Sequence, residues 1–106
     1  LEIRPAAEED VPLILALIRE LAEYEHLSHE VVATGEGLQE SLFGDRRVAE
    51  VLLAHSGEDP AGFALFFHNF STFLGRPGIY LEDLYVRPGF RGRGLGKALL
   101  RRLAGL

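Results

Sequence analysis

An apolar run that ends in glycines and cations, then becomes a helix former, constrains this chain more than any other stretch. Ile79 to Val86 reads as a buried strand, and Arg87-Pro88-Gly89 as a turn, since proline presets φ and glycine accepts φ > 0. Arg91-Gly92-Arg93-Gly94-Leu95-Gly96 leads from there into the helix-forming run Lys97 to Leu103. Glycines let a ligand approach the backbone closely, and the first N–H groups of a helix point at whatever sits there. Strand, glycine loop and helix therefore predict an anion site, most naturally for phosphate.

Two common phosphate loops do not fit. A Walker loop needs Gly-x-x-x-x-Gly-Lys-Ser/Thr, but Arg91 stands where its first glycine belongs and Ala98 follows Gly96-Lys97. A dinucleotide fingerprint needs Gly-x-Gly-x-x-Gly. Lys97 or Leu99, depending on register, occupies the place of the third glycine. What remains is Arg91-x-x-Gly94-x-Gly96 directly after an apolar strand.

Inside that strand, Ile79-Tyr80-Leu81-Glu82-Asp83-Leu84-Tyr85-Val86, stand two adjacent carboxylates. Regular pleating would aim them at opposite faces of a sheet. A buried, unpaired carboxylate is costly, so at least one must meet a cavity, a cation or a β-bulge, and bulges re-aim side chains beside active sites. Glu82, a few residues before the anion loop, is the candidate functional acid.

Upstream, Glu2-Ile3-Arg4 is a short strand closed by Pro5, and Asp10 is placed to cap a helix with Pro12 in its first turn. Ile14, Leu17, Ile18 and Leu21 make one apolar stripe on that helix, which runs to about Tyr24. Val31 to Ala33 is a connector. Thr34 caps a second helix with Leu38 and Leu42, stopped at Gly44. Strands are expected over Val48–His55 and Ala61–Phe70, with turns at Ser56–Pro60 and a loop over Ser71–Gly78. The order β-α-α-β-β-β-α in 106 residues describes one α/β (α+β) domain with a largely antiparallel sheet and flanking helices.

Composition narrows the chemistry. Cysteine is absent, which removes disulfides, thiolate nucleophiles and cysteine-based zinc sites. Residues 1–50 carry 12 acidic and 4 basic side chains, and residues 51–106 carry 4 and 7. An acidic half attracts cationic amines and a basic tail attracts a phosphorylated cofactor, though solvated helix faces would give the same count. Cations clustered in one loop of an acidic chain suit nucleic acid poorly. With no apolar signal core at the front and no apolar run of spanning length, the expectation is a soluble, cytoplasmic protein without membrane contact.

Arg91-Gly92-x-Gly94-x-Gly96 resembles the acetyl-CoA loop of the GNAT N-acetyltransferases. Tyr80-Leu81-Glu82-Asp83-Leu84-Tyr85-Val86, with Ile3-Arg4-Pro5-Ala6 and Leu21-Ala22-x-Tyr24-Glu25, resembles the diamine/polyamine (spermidine/spermine) branch and its thialysine-acetylating relatives. The resemblance implies the GNAT fold over residues 1–106 and acetyl-CoA as co-substrate. The backbone of Leu84, Tyr85 and Val86 would pair with the pantetheine arm, and the amides of Gly92, Arg93, Gly94, Leu95, Gly96 and Lys97 would hold the diphosphate beside the cations of Arg91 and Lys97. It implies Glu82 as the residue that orients the amine and accepts its proton, and Tyr24 and Glu25 as amine contacts. It further implies a homodimer, and a domain continuing past Leu106 with a fifth strand and a helix bearing a tyrosine as general acid. Polyamine enzymes carry an acid where this chain has Ser71-Thr72, which favours a shorter or amino-acid-like amine.

Direct transfer suits these residue types: a carboxylate can deprotonate an amine, and two held substrates need no enzyme nucleophile. A non-catalytic acyl-CoA-binding or dimerising module, and a phosphate- or RNA-binding module using Arg-Gly-Arg-Gly, are the other readings. No metal is expected: His26 and His29, with Glu25 or Glu30, lack a third ligand at convincing spacing. His68 is expected to be a hydrogen-bonded sheet residue.

Overall fold

The computed structural model describes residues 1–27, 31 and 33–106. Its elements follow the expected order: β1 (Glu2–Pro5), α1 (Val11–Tyr24), α2 (Gly35–Phe43), β2 (Glu50–Ser56), β3 (Asp59–Ser71), β4 (Arg76–Val86) and α3 (Leu95–Ala104). The four strands form one antiparallel sheet in the order β1-β2-β3-β4; short turns join β2 to β3 and β3 to β4, while α1 and α2 lie between β1 and β2.

Alternation along the strands supplies an apolar set to each face of the sheet. Ile14 and Leu17 of α1 and Leu42 of α2 pack on Val51, Leu53, Phe63 and Tyr85. On the opposite face Leu95, Leu99 and Leu103 of α3, spaced at i, i+4 and i+8, pack on Leu52, Ala54, Ala61, Ala64 and Phe66. Small side chains in β2 and β3 let α3 lie close to the sheet.

Local chemistry sets most of the element ends. The Thr34 hydroxyl accepts from the Gly37 N–H at 3.0 Å and starts α2 as expected. Asp10 does not cap α1 with its side chain. Its carboxylate instead accepts from both Nη atoms of Arg4, at 2.7 and 3.0 Å, and from the Ala7 N–H at 2.7 Å. A charged partner from β1 outcompetes the helix amides.

The hairpin joining β3 and β4 is longer than its composition suggests. Pairing continues through Phe70↔Pro77 to Ser71↔Arg76, so only residues 72–75 connect the strands. Ser71 Oγ accepts from the Leu74 N–H at 3.1 Å, and Gly75 turns at φ +65°. Pro77 is tolerated because β4 is an outer strand of this sheet. His68 is a sheet residue as expected, its Nε2 lying 2.8 Å from Glu50 Oε2.

Candidate functional site

The register of β4 on β3 decides where the two strand carboxylates go. Leu65 pairs with Asp83 and Phe66 with Leu81, which leaves Glu82 as an extra, unpaired residue: a β-bulge. Without it Glu82 and Asp83 would face opposite layers. With it, both line one cleft of about 400 Å³ on the α1 side, together with Ile18, Leu21, Ala22 and Glu25. Leu81 and Leu84, on either side of the bulge, pack toward α3. A bulge was one of three expected ways to accommodate the acids, beside a cavity and a cation; the convergence of both acids on one face was not expected, since it depends on pairing with a distant strand.

The two acids differ. Glu82 is exposed, whereas Asp83 is half-buried and its carboxyl is pushed above its usual value of 3.8, first by burial and then by the negative charges of Glu82 and Glu25. Among the described residues neither has a hydrogen-bond or ion-pair partner. Three carboxylates against an apolar wall form a negative, partly desolvated cleft suited to an organic cation. This arrangement opposes folding. As pH rises past 3.8 the unfolded Asp83 loses its proton first, so the penalty grows until the folded carboxyl has ionised. Asp83→Asn is therefore expected to raise the melting temperature at pH 7, with the gain closing as pH falls toward 4; thermal melts across that range measure it.

The second concavity starts where β4 ends. A groove of about 430 Å³ is lined by Val86, Phe90, Arg91, Gly92, Gly94, Leu95, Gly96 and Lys97. Gly92 and Gly94 hold φ of +82° and +75°, a backbone that other residues adopt only at a cost, and a Cβ on either would project into open space. Gly94 is the N-terminal cap of α3, and its carbonyl takes the Ala98 N–H at 3.0 Å. The amides of Leu95, Gly96 and Lys97 consequently point out of the helix start into the groove. These amides, with Arg91 and Lys97 beside them, fit a diphosphate.

Of the other sequence-derived candidates, Leu84 and Tyr85 precede Val86 in β4 and their side chains do not line the groove. Arg93 lies outside the lining with its guanidinium 5.6 Å over the Phe90 ring. Glu25 lines the acidic cleft but Tyr24 does not; the Tyr24 ring lies 4.5 Å from the Arg91 guanidinium. Phe90, given no role between the Arg87–Gly89 turn and the Arg91–Gly96 loop, was missed as a groove wall. His29 and Glu30 lie outside the described residues, and among those described no group of three or more His, Asp or Glu could hold a metal.

Sequence reasoning also missed the clamp that fixes β4 to α1. Glu20 accepts from Arg87 Nη2 at 2.7 Å, Arg87 Nε at 3.0 Å and the Tyr85 hydroxyl at 3.2 Å. Arg87's hydrogen bonds hold the Glu20 carboxyl below its usual range, while burial and the Glu20 charge push the Tyr85 hydroxyl up. Nothing in the local sequence pairs residues 67 positions apart.

A family model described as "Acetyltransferase (GNAT) family" matches residues 14–105. A thialysine N-epsilon-acetyltransferase of Bos taurus is 44% identical over 110 residues, covering 96% of this chain and 64% of the relative. An L-ornithine N5-acetyltransferase of Arabidopsis thaliana is 32% identical, with 96% of this chain and 64% of the relative covered. The chain thus spans 64% of the length of these relatives. In fold it is similar to an aminoglycoside acetyltransferase from an uncultured soil metagenomic sample, with a TM-score of 0.80, 22% identity, and 98% of this chain and 67% of that one covered.

Proposed function

Since the chain belongs to the acetyltransferase (GNAT) family, we propose that it moves an acetyl group from acetyl-CoA to a primary amine of a small molecule. The amine is of the diamine, polyamine or thialysine-like class. Two relatives bear names for acetylating thialysine and ornithine, which favours the side-chain amine of a lysine-like amino acid. One observation carries the reading: the bulge at Glu82 turns an acidic cleft toward α1. A phosphate-fitting groove opens where the same strand runs into α3.

Acetyl-CoA, when bound, supplies the thioester carbon that a neutral amine attacks, with the CoA thiolate leaving. The amides of Gly92 to Lys97 hold its diphosphate, and the backbone of Leu84 to Val86 pairs with its pantetheine arm. Glu25, Glu82 and Asp83 draw the ammonium into the cleft, with Tyr24 beside its approach. An amine of this kind is protonated at neutral pH, with an ordinary pKa near ~10.4, and only its neutral form attacks. Glu82 accepts that proton, directly or through water. Tyr85 is not the acid for the departing thiolate, because its hydroxyl is committed to Glu20. Residues 1–106 form one unit of the family's domain, and the protein works as a cytoplasmic homodimer.

The test is to incubate the intact protein with acetyl-CoA and a panel of thialysine, lysine, ornithine, diamines and polyamines, following free thiol release and acetylated product. A new N-acetyl amine supports the reading. Acetyl-CoA binding with no product from any member would support a non-catalytic acyl-CoA-binding module instead.

A further inference from the structure

Four of the arginines, two of them beside the groove, are held in two different ways. Arg4 and Arg87 are paired to carboxylates, Asp10 and Glu20, at 2.7 Å each. Arg91 and Arg93, flanking the groove, are held by aromatic rings: Arg91 over Tyr24 at 4.5 Å and Tyr85 at 5.8 Å, Arg93 over Phe90 at 5.6 Å. Among the described residues no carboxylate pairs with either. The difference matters electrostatically. A carboxylate fixes a guanidinium and cancels its charge, whereas a ring fixes it and leaves nearly the whole charge available to a third party.

Arg91 is also tethered from within the loop, its Nε donating to the Val86 carbonyl at 2.8 Å. That bond leaves both Nη atoms free to face the groove that Arg91 lines. The ring beneath it belongs to the last residue of α1, an element from the other end of the chain. Tyr24 is exposed and does not line the amine cleft, so neither core packing nor cleft shape accounts for where its ring lies. Tyr85, the second ring, is locked in turn by its hydroxyl on Glu20 at 3.2 Å.

We propose that Tyr24 is a positioning residue for the cofactor loop: its ring seats the Arg91 guanidinium, uncancelled, at the edge of the groove, where it meets the diphosphate of acetyl-CoA. The assignment rests on the groove being the acetyl-CoA site, and it gives Tyr24 a duty separate from contact with the amine. A seated arginine has lost its rotamer freedom before the anion arrives, so less ordering cost falls on binding.

Calorimetric titration of the intact protein separates the outcomes. Tyr24→Leu, which keeps bulk but no π face, is expected to raise the Kd for acetyl-CoA about two- to fivefold, the span of a partly exposed cation–π contact. Tyr24→Phe keeps the ring and should bind as the wild type does. S-acetylpantetheine, which lacks the diphosphate, should bind Tyr24→Leu and wild type alike. In an Arg91→Gln background Tyr24→Leu should cost nothing more. An unchanged acetyl-CoA Kd with a raised amine KM would overturn the proposal, as would an equal loss for S-acetylpantetheine. Absence of acetyl-CoA binding by the wild type would overturn the groove assignment itself and the seat's purpose with it.

Discussion

Glu82→Gln is expected to lower kcat/KM for the amine about 10²- to 10⁴-fold at neutral pH, the usual worth of a positioned general base. The Kd for acetyl-CoA should stay where it is, because Glu82 lines the acidic cleft and not the groove. Glutamine keeps the shape and one acceptor oxygen but cannot take a proton at any useful pH. The deficit should shrink as pH climbs toward the amine's own pKa of roughly 10.4, since solvent then delivers the neutral nucleophile that the carboxylate otherwise makes. Initial rates from pH 7 to 10 measure this. A deficit that does not vary with pH would mean that Glu82 holds the amine without accepting its proton.

The same experiment on Asp83→Asn decides between neighbours. Burial pushes the Asp83 carboxyl up, a property that also suits a base, while Glu82 is the exposed member of the pair. If Asp83→Asn shows the pH-dependent loss and Glu82→Gln does not, the proton goes to Asp83. An ammonium bound between them would relieve the repulsion that Asp83 feels from Glu82 and Glu25. Substrate binding and stability are linked at this cleft for that reason.

What the chain reveals by itself follows a physical line. Features fixed within a few residues were legible: the Ile14–Leu21 stripe, the Thr34 cap, and the glycines whose positive φ opens the groove. Features needing a distant partner were not. The anomaly at Glu82 and Asp83 could be seen in eight residues, but its resolution onto one face required the register with Leu65 and Phe66. Asp10 has the chemistry of a helix cap, yet Arg4 claims it. Ser71 to Gly78 is loop-like in composition, yet an Oγ bond and one left-handed glycine shorten the connection to four residues. Glu20 and Arg87 each read as ordinary surface charges until the fold brings α1 against the end of β4.

Gly62, which carries no motif, is a position beside the groove where a single methyl group should have a large effect. It pairs with Val86, opposite the segment proposed to meet the pantetheine arm. A Cβ there would land on the Tyr85 carbonyl oxygen, 3.2 Å from Val86 Cα and 3.4 Å from Leu95 Cδ2. Two of these three neighbours are backbone, so no side-chain rotation relieves the clash. β4 must move away from β3, taking the start of α3 with it. Gly62→Ala is expected to cost about 2–3 kcal/mol of stability, the upper part of the range for overpacking a filled core, and to lower Tm by roughly 9–14 °C. It should also weaken acetyl-CoA binding, because the displaced backbone of Tyr85 and Val86 leads directly into the groove. Gly57→Ala is the matched control: Gly57 sits at φ +63° with nothing within 4 Å of a new Cβ. Its substitution should cost only the ~1–2 kcal/mol of a left-handed backbone and leave acetyl-CoA affinity unchanged. Equal acetyl-CoA affinities in the two variants would separate the β3–β4 contact from the cofactor site and remove Val86 from the proposed pantetheine path.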